Sequence, residues 1–115
     1  MILIDTGALF ALQNRRDTNH LSAVASYEEH AGETFAVHPL ILAEAWYLCE
    51  QRLGTPAARK VAAAVGRGEL VLLPTEAADI VRALKIERSH AALEMGLTDA
   101  VTIALCERHR IRTLF

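Results

Sequence analysis

Residues 34–54, TFAVHPLILAEAWYLCEQRLG, join a strand signal directly to a helix signal. Thr34 to His38 is a short, apolar-rich run closed by Pro39, which brings no amide hydrogen to a ladder. Leu40 to Leu53 then repeats apolar side chains at helical spacing. It halts at Gly54, the residue type that adopts positive φ behind a helix at no steric cost. A strand leading straight into a long helix is the building block of parallel crossover units.

The flanking sequence repeats that block. Ile2 to Ile4 reads as a buried strand ended by Asp5-Thr6-Gly7, followed by a short helical stretch from Ala8 to Leu12 and a polar loop from Gln13 to Asp17. Thr18 or Asn19 is placed to cap a helix to about His30, with Gly32 as its stop. Thr55 as N-cap and Pro56 at the first helical position predict a helix to about Gly66. Glu69 to Leu73 is a third strand terminated by Pro74. Thr75, Glu76 and Asp79 then open a helix to about Arg88, the acids complementing its positive end. A looser stretch, Ser89 to Leu97, leads to a helix from Thr98 to about His109, and Ile111 to Phe115 is the last strand. The expectation is an α/β fold with a mostly parallel central sheet and helices on both faces. Strand order is not legible in the pattern.

Composition narrows the classes of function. A chain of 115 residues with 52% hydrophobic content suffices for one core, so a single domain over residues 1–115 is expected. The formal net charge of -2 gives no global basic field, so a nucleic acid would have to be held through local patches or bound cations. No run of about 18 apolar residues predicts a membrane span. The start, Met1-Ile2-Leu3-Ile4-Asp5, lacks the basic and long apolar segments of a signal peptide, and a cytoplasmic protein is the expectation. Cys49 and Cys106 then read as small apolar side chains in a reducing compartment rather than as a disulfide.

Three of the 14 acids stand where solvated acids normally do not. Asp5 follows the first strand, and in open α/β sheets the carboxyl ends of strands face the ligand crevice. The plain competing role is capping the next helix. Glu44 has Leu40, Ile41, Tyr47 and Leu48 as same-face neighbours, which puts its carboxylate on the apolar stripe of a strong helix. An inward carboxylate is costly unless paired, hydrogen-bonded or metal-bound, and a salt bridge to Arg52 or Arg59 is the plain alternative. Asp99 opens a helix whose same-face residues Thr102, Ile103 and Cys106 point inward, although an acid in a first turn is favoured by the dipole anyway. Three acids at the ends of core elements suggest one site, with their oxygens expected within a few ångströms of a common point. Clustered carboxylates repel unless a cation neutralises them. Oxygen-only ligands favour a hard cation, Mg²⁺ or Mn²⁺. The five histidines (20, 30, 38, 90 and 109) show no paired spacing for zinc.

Ile4-Asp5-Thr6 at the start, Leu42-Ala43-Glu44-Ala45-Trp46-Tyr47-Leu48 within a helix, and the stretch Gly96-Leu97-Thr98-Asp99-Ala100 running on to Arg108 resemble, in order and spacing, the PIN domain of the VapC toxin type. The resemblance covers essentially the whole chain. It implies an endoribonuclease dependent on Mg²⁺ or Mn²⁺, usually a homodimer, inhibited by a small antitoxin protein. It matches Asp5, Glu44 and Asp99 to the first three acids of the family's catalytic and metal-binding set. The reaction implied is metal-assisted hydrolysis of RNA phosphodiesters. Two departures stand out. Gly7 occupies a position where the family usually has serine or asparagine. The family also usually has a fourth acid just after the last strand, and the sequence stops at Phe115. Either the 115 residues fall short of the domain's C-terminal end or the site is incomplete.

Other features carry weaker signals. Arg15 and Arg16 lie in the loop near the expected crevice and could meet phosphates, or simply be solvated. Arg82, Lys85 and Arg88 share one helix face, by default a solvated one, with RNA contact as the alternative. Trp46, Tyr47 and Leu48 cannot all face one core, so part of that surface is a candidate partner anchor. A response-regulator receiver would need an acid beside Asp5 and a phosphorylatable aspartate after the third strand, where Pro74-Thr75 stands instead. A dinucleotide site would need a glycine-rich turn that Thr6-Gly7-Ala8 does not supply. The competing function is a non-catalytic PIN-like module that binds RNA or a protein without cutting.

Overall fold

Four short strands, β1 (Ile2–Leu3), β2 (Phe35–Val37), β3 (Val71–Leu72) and β4 (Thr113–Leu114), form one sheet in a computed structural model that describes all of residues 1–115. Their order is β3-β2-β1-β4, and every neighbouring pair is parallel. Ile2 stands beside Phe35 on one side and Thr113 on the other, and Leu3 beside Ala36 and Leu114. Ile2, Leu3 and Ile4 are buried, as a strand flanked on both edges and covered on both faces must be. The edge strands β3 and β4 leave Val71, Leu72 and Leu114 partly in solvent.

Parallel strands need crossovers, and six helices supply them. α1 (Thr6–Gln13) and α2 (His20–Glu29) join β1 to β2; α3 (Pro39–Leu53) and α4 (Thr55–Gly66) join β2 to β3. These two connections step across the sheet in one direction. α5 (Ala77–Ser89), a 3-10 turn at Ala91–Leu93 and α6 (Leu97–His109) return the chain from β3 to the far side of β1. Right-handed crossovers travelling in opposite directions lie on opposite faces. The core divides accordingly. One cluster joins β1 and β2 to Leu9, Phe10, Ile41, Ala45 and Cys49, and a second unites Ala83 and Ile86 of α5 with Ala100, Val101, Ala104 and Leu105 of α6. No helix is long and apolar enough to cross a membrane.

The expected elements are present, with shifted ends. Strands are shorter than expected because polar caps take over the chain at once: Asp5 already caps α1, although the Ile4 amide still donates to Ala36 O (2.9 Å). Pro39 does more than close β2. It occupies the first position of α3, where its missing amide hydrogen is no loss. Gly54 has φ 96° and ends α3, as expected. It also stands at the cap position of α4, so Thr55 lies inside that helix rather than capping it. Asn19 is at the cap position of α2 but makes no side-chain capping bond. Both cysteines are free, and burial pushes their thiols up.

Asp79 stands in the first turn of α5 as expected, and it does more than complement the positive end of the helix. It is only 3% exposed. Its carboxylate accepts from the Glu76 amide (2.8 Å) and from the Arg108 guanidinium through two bonds, Nε to Oδ1 (2.8 Å) and a second NH to Oδ2 (2.9 Å). Arg108 also donates to Pro74 O (3.2 Å), so α6 is tied to the start of α5. Burial alone would raise the Asp79 carboxyl, but the Arg108 and Glu76 bonds outweigh it and hold it below the usual aspartate range. This contribution to stability is present above the unfolded aspartate value and is lost as pH falls through the lowered one. Asp79→Ala is expected to lower the thermal midpoint by several degrees, because it leaves a guanidinium and an amide without their shared acceptor. Thermal melts at neutral pH, monitored by circular dichroism, measure it, and an unchanged midpoint would show the pair to be dispensable.

Candidate functional site

The C-terminal end of β1 is the point where the two crossover directions part, and Asp5 stands there. Its backbone is extended, and its Oδ1 accepts from the Ala8 amide (2.8 Å). The capping role is therefore real, and it uses one of the two carboxylate oxygens. The chain's last residue is alongside: Phe115 N donates to Leu3 O (2.8 Å), and Asp5 N donates to Phe115 O (2.7 Å). Gly7 is exposed in the same turn, and a Cβ there would meet only Asp5 Oδ1, at an ordinary 3.6 Å. Space does not demand a glycine at that position.

Glu44 departs from its expected setting. The face of α3 that meets the core is Ile41, Ala45 and Cys49, one turn apart. Glu44 lies at the rim of that face and is exposed. No salt bridge holds it, and the nearer candidate, Arg52, lies over the Phe10 ring instead (6.0 Å to its centroid). Two threonine hydroxyls take that place: Thr6 Oγ1 donates to Oε2 (3.1 Å) and Thr98 Oγ1 donates to Oε1 (2.6 Å). Glu44 thereby links the start of α1 to the start of α6. Asp99 is the next residue after Thr98, exposed in the first turn of α6, where the helix dipole favours an anion.

The structure thus brings all three acids together. Asp5, Glu44 and Asp99 line one small cavity of about 80 Å³ with Thr6, Gly7, Ile41, Thr98 and Thr102. On one side it adjoins a larger cleft that shares Asp5 and Asp99, and on the other a groove lined by Thr6, Glu44, Tyr47 and Leu48. The convergence is that of a shared pocket. No three or more Asp, Glu, His or Cys side chains close into a metal cage. Carboxylates repel one another without a cation between them, and Glu44 is bonded to the two hydroxyls rather than to either aspartate. Of the aromatic stretch on α3, Trp46 and Leu48 pack against the core, while Tyr47 remains 65% exposed beside Glu44.

One polar residue of this region escaped the sequence reading. His38, treated there as the last residue of a strand, is fully buried and caps α3: its Nδ1 accepts from the amides of Leu40 (3.2 Å) and Ile41 (3.4 Å). Its Nε2 meets Thr102 Oγ1 at 2.8 Å, across the interior on α6. A polar side chain immediately before a proline that begins a helix was the available signal. Burial lowers the imidazole from 6.5 to about 4, against smaller opposing effects of the Thr98 backbone and the Glu44 charge.

A model of the PIN domain family matches residues 2–115. A protein named ribonuclease VapC26, from Mycobacterium tuberculosis (strain ATCC 25618 / H37Rv), is 30% identical over 113 residues, which are 98% of this chain and 83% of that protein. The crystal structure of Mycobacterium tuberculosis VapC20, described as a sarcin-ricin loop cleaving toxin, superposes with a TM-score of 0.90. It covers 99% of this chain and 87% of its own at 23% identity, a likeness of fold.

The His38 shift carries a stability consequence of definite sign. The unfolded chain takes up a proton near pH 6.5 and the folded chain only near 4, so stability is lost as pH falls through that window and not above it. The loss between pH 7 and pH 4.5 is expected to be about 2 kcal/mol. Urea unfolding at the two pH values, with His38→Asn as the non-titrating comparison, measures it. A wild-type curve with the same pH dependence as the variant would refute the assignment.

Proposed function

The chain belongs to the PIN-domain family, and from that premise we propose that it is a metal-dependent endoribonuclease of the VapC toxin kind. In this reading residues 1–115 act as one domain, in the cytoplasm, and hydrolyse RNA phosphodiesters. Asp5, Glu44 and Asp99 hold Mg²⁺ or Mn²⁺. The observation that carries the proposal is the pocket itself: three carboxylates and the hydroxyls of Thr6, Thr98 and Thr102, with no histidine or cysteine in its lining. That is an oxygen-only donor set, the chemistry of a hard cation. The identity shared with a protein named a ribonuclease adds support.

Each residue has a definable task. Asp5 gives Oδ1 to its helix and keeps Oδ2 for a cation. Glu44 receives hydroxyl hydrogens on both oxygens, which fixes its orientation, and each oxygen retains a lone pair for a ligand. Asp99 projects from the N-terminal turn of α6, whose dipole also favours a phosphate. A bound divalent ion would supply an activated water and offset charge on the phosphate. One of the carboxylates can accept the proton that this water gives up.

A toxin of this kind implies two protein partners, a second copy of the chain and a small antitoxin. Tyr47 is the fitting anchor for the antitoxin, because it borders the pocket and offers most of its ring to solvent, whereas Trp46 is engaged in the core.

RNA cleavage measured with Mg²⁺, with Mn²⁺ and with EDTA, beside Asp5→Asn and Asp99→Asn, tests the reaction. Chelation should stop cleavage. Each substitution should cost more than the roughly 10–100-fold typical of losing a residue behind a metal ligand. Folding should survive both substitutions, since asparagine caps a helix as well as aspartate does and the loss of one negative charge relaxes repulsion. A wild-type chain that binds RNA without cutting it would favour the non-catalytic module. Partners are tested separately: light scattering at high micromolar concentration should show a dimer, and Tyr47→Ala should weaken antitoxin binding more than Trp46→Ala. A monomer in the first experiment, or undiminished binding by Tyr47→Ala in the second, removes that part of the proposal.

A further inference from the structure

We propose that His38 is a positioning residue of the acid pocket: through Thr102 and Thr98 it sets where the Glu44 carboxylate stands against α6. This rests on the ribonuclease reading for its consequence in catalysis, and on the hydrogen-bond geometry for its existence.

The directions of the bonds follow from counting hydrogens. The Thr102 hydroxyl has one hydrogen, and it goes to Thr98 O (2.9 Å). At its contact with His38, Thr102 Oγ1 is therefore the acceptor, and His38 Nε2 must carry the proton. Nδ1 must then be unprotonated, which is what two incoming amide hydrogens from Leu40 and Ile41 require. One tautomer satisfies every partner. The chain of bonds runs from the cap of α3, through His38 and Thr102, to the Thr98 carbonyl. The Thr98 side chain then donates back to Glu44 on α3. α3 and α6 are thus stitched at two points, and the first turn of α6 that presents Thr98 and Asp99 is registered against Glu44 by both.

A helix cap alone does not account for a histidine here. Serine, threonine, asparagine or aspartate cap at least as well. A fully buried imidazole is a costly way to accept two amide hydrogens. What the ring adds is reach: a second nitrogen that crosses the interior to α6. Groups behind metal-holding residues commonly act in this way, fixing orientation rather than touching the ion. Misplacement of a reacting group by about 1 Å can cost about 100-fold in rate.

Thr102→Val removes the acceptor while preserving shape, and Thr102→Ser keeps it. His38→Asn retains a capping side chain too short to reach Thr102. We expect Thr102→Val and His38→Asn each to lower kcat for RNA cleavage ~10–100-fold with KM unchanged, and to weaken Mn²⁺ binding in calorimetry; Thr102→Ser recovers most of the loss. In wild type, ¹⁵N-histidine spectra should show His38 protonated at Nε2 and bare at Nδ1 at neutral pH. If the valine variant loses only thermal stability, and its folded fraction keeps wild-type kcat and Mn²⁺ affinity, the role is structural and the proposal falls. The opposite tautomer in wild type also overturns it. If wild type cuts no RNA but its Mn²⁺ affinity drops in Thr102→Val and returns in Thr102→Ser, the positioning stands and the reaction is wrong. A wild type that neither binds Mn²⁺ nor cuts RNA overturns both.

Discussion

β1 carries a parallel ladder on each side, to β2 through Ile2 and Leu3 and to β4 through the same two residues. A strand in that position must be apolar on both faces, and Ile2-Leu3-Ile4 leaves the chain no room for a polar side chain until Asp5. The first residue free of that demand therefore emerges where the crossovers diverge, at the end of the sheet where open α/β folds bind their ligands. α1 begins there, the C-terminal end of β4 pairs beside it, and α3 and α6 approach from the two faces. Asp5 enters the pocket because β1 is an inner strand, paired on both sides.

Around that centre the polar groups are arranged as donors aimed at acceptors. The Ala8 amide, the Thr6 hydroxyl and the Thr98 hydroxyl all point hydrogens at carboxylate oxygens. Threonine suits the task, since its hydroxyl donates to the acid while its methyl joins the packing. Thr102, one turn along α6, is buried, and its hydroxyl instead donates to the Thr98 carbonyl and accepts from His38. Tyr47, by contrast, is left with its ring in solvent beside the same pocket. That combination of fixed polar interior and exposed aromatic rim suits the proposed enzyme with an inhibitory protein partner.

Helix positions were legible because caps and stops are local chemistry. Gly54 ends α3 with a positive φ, Pro39 and Pro56 sit in first turns, and the alternation with apolar runs already implied parallel crossovers. Strand order was not legible, since it depends on which edge each crossover reaches and not on any residue within the strand. The acids divide in the same way. Asp5 and Asp99 could be placed from their neighbours in sequence. Glu44 was placed correctly on its helix and wrongly in its burial: its neighbours include Tyr47, which periodicity counts as apolar and the fold leaves outside. Asp79 and His38 were missed for one shared reason. Each is buried because of a partner far along the chain, Arg108 at 29 residues and Thr102 at 64, and no local pattern records such a pairing.

The two treatments of acids in this fold differ in what neutralises them. Asp79, buried between α5 and α6, receives a two-pronged guanidinium, and Glu69 and Glu107 on the surface each have an arginine. Asp5, Glu44 and Asp99 share a pocket, yet none of the chain's 12 lysines and arginines pairs with them. Two hydroxyls orient Glu44 and an amide orients Asp5, and neither acid receives a cationic partner. Acids gathered without a basic partner are in general less favourable than an acid paired as Asp79 is with Arg108. The absence of a basic partner at the pocket is what the proposed cation site would require. On the proposed reading the counter-charge comes from solution, as a cation small enough for a cavity of about 80 Å³ and content with oxygen ligands.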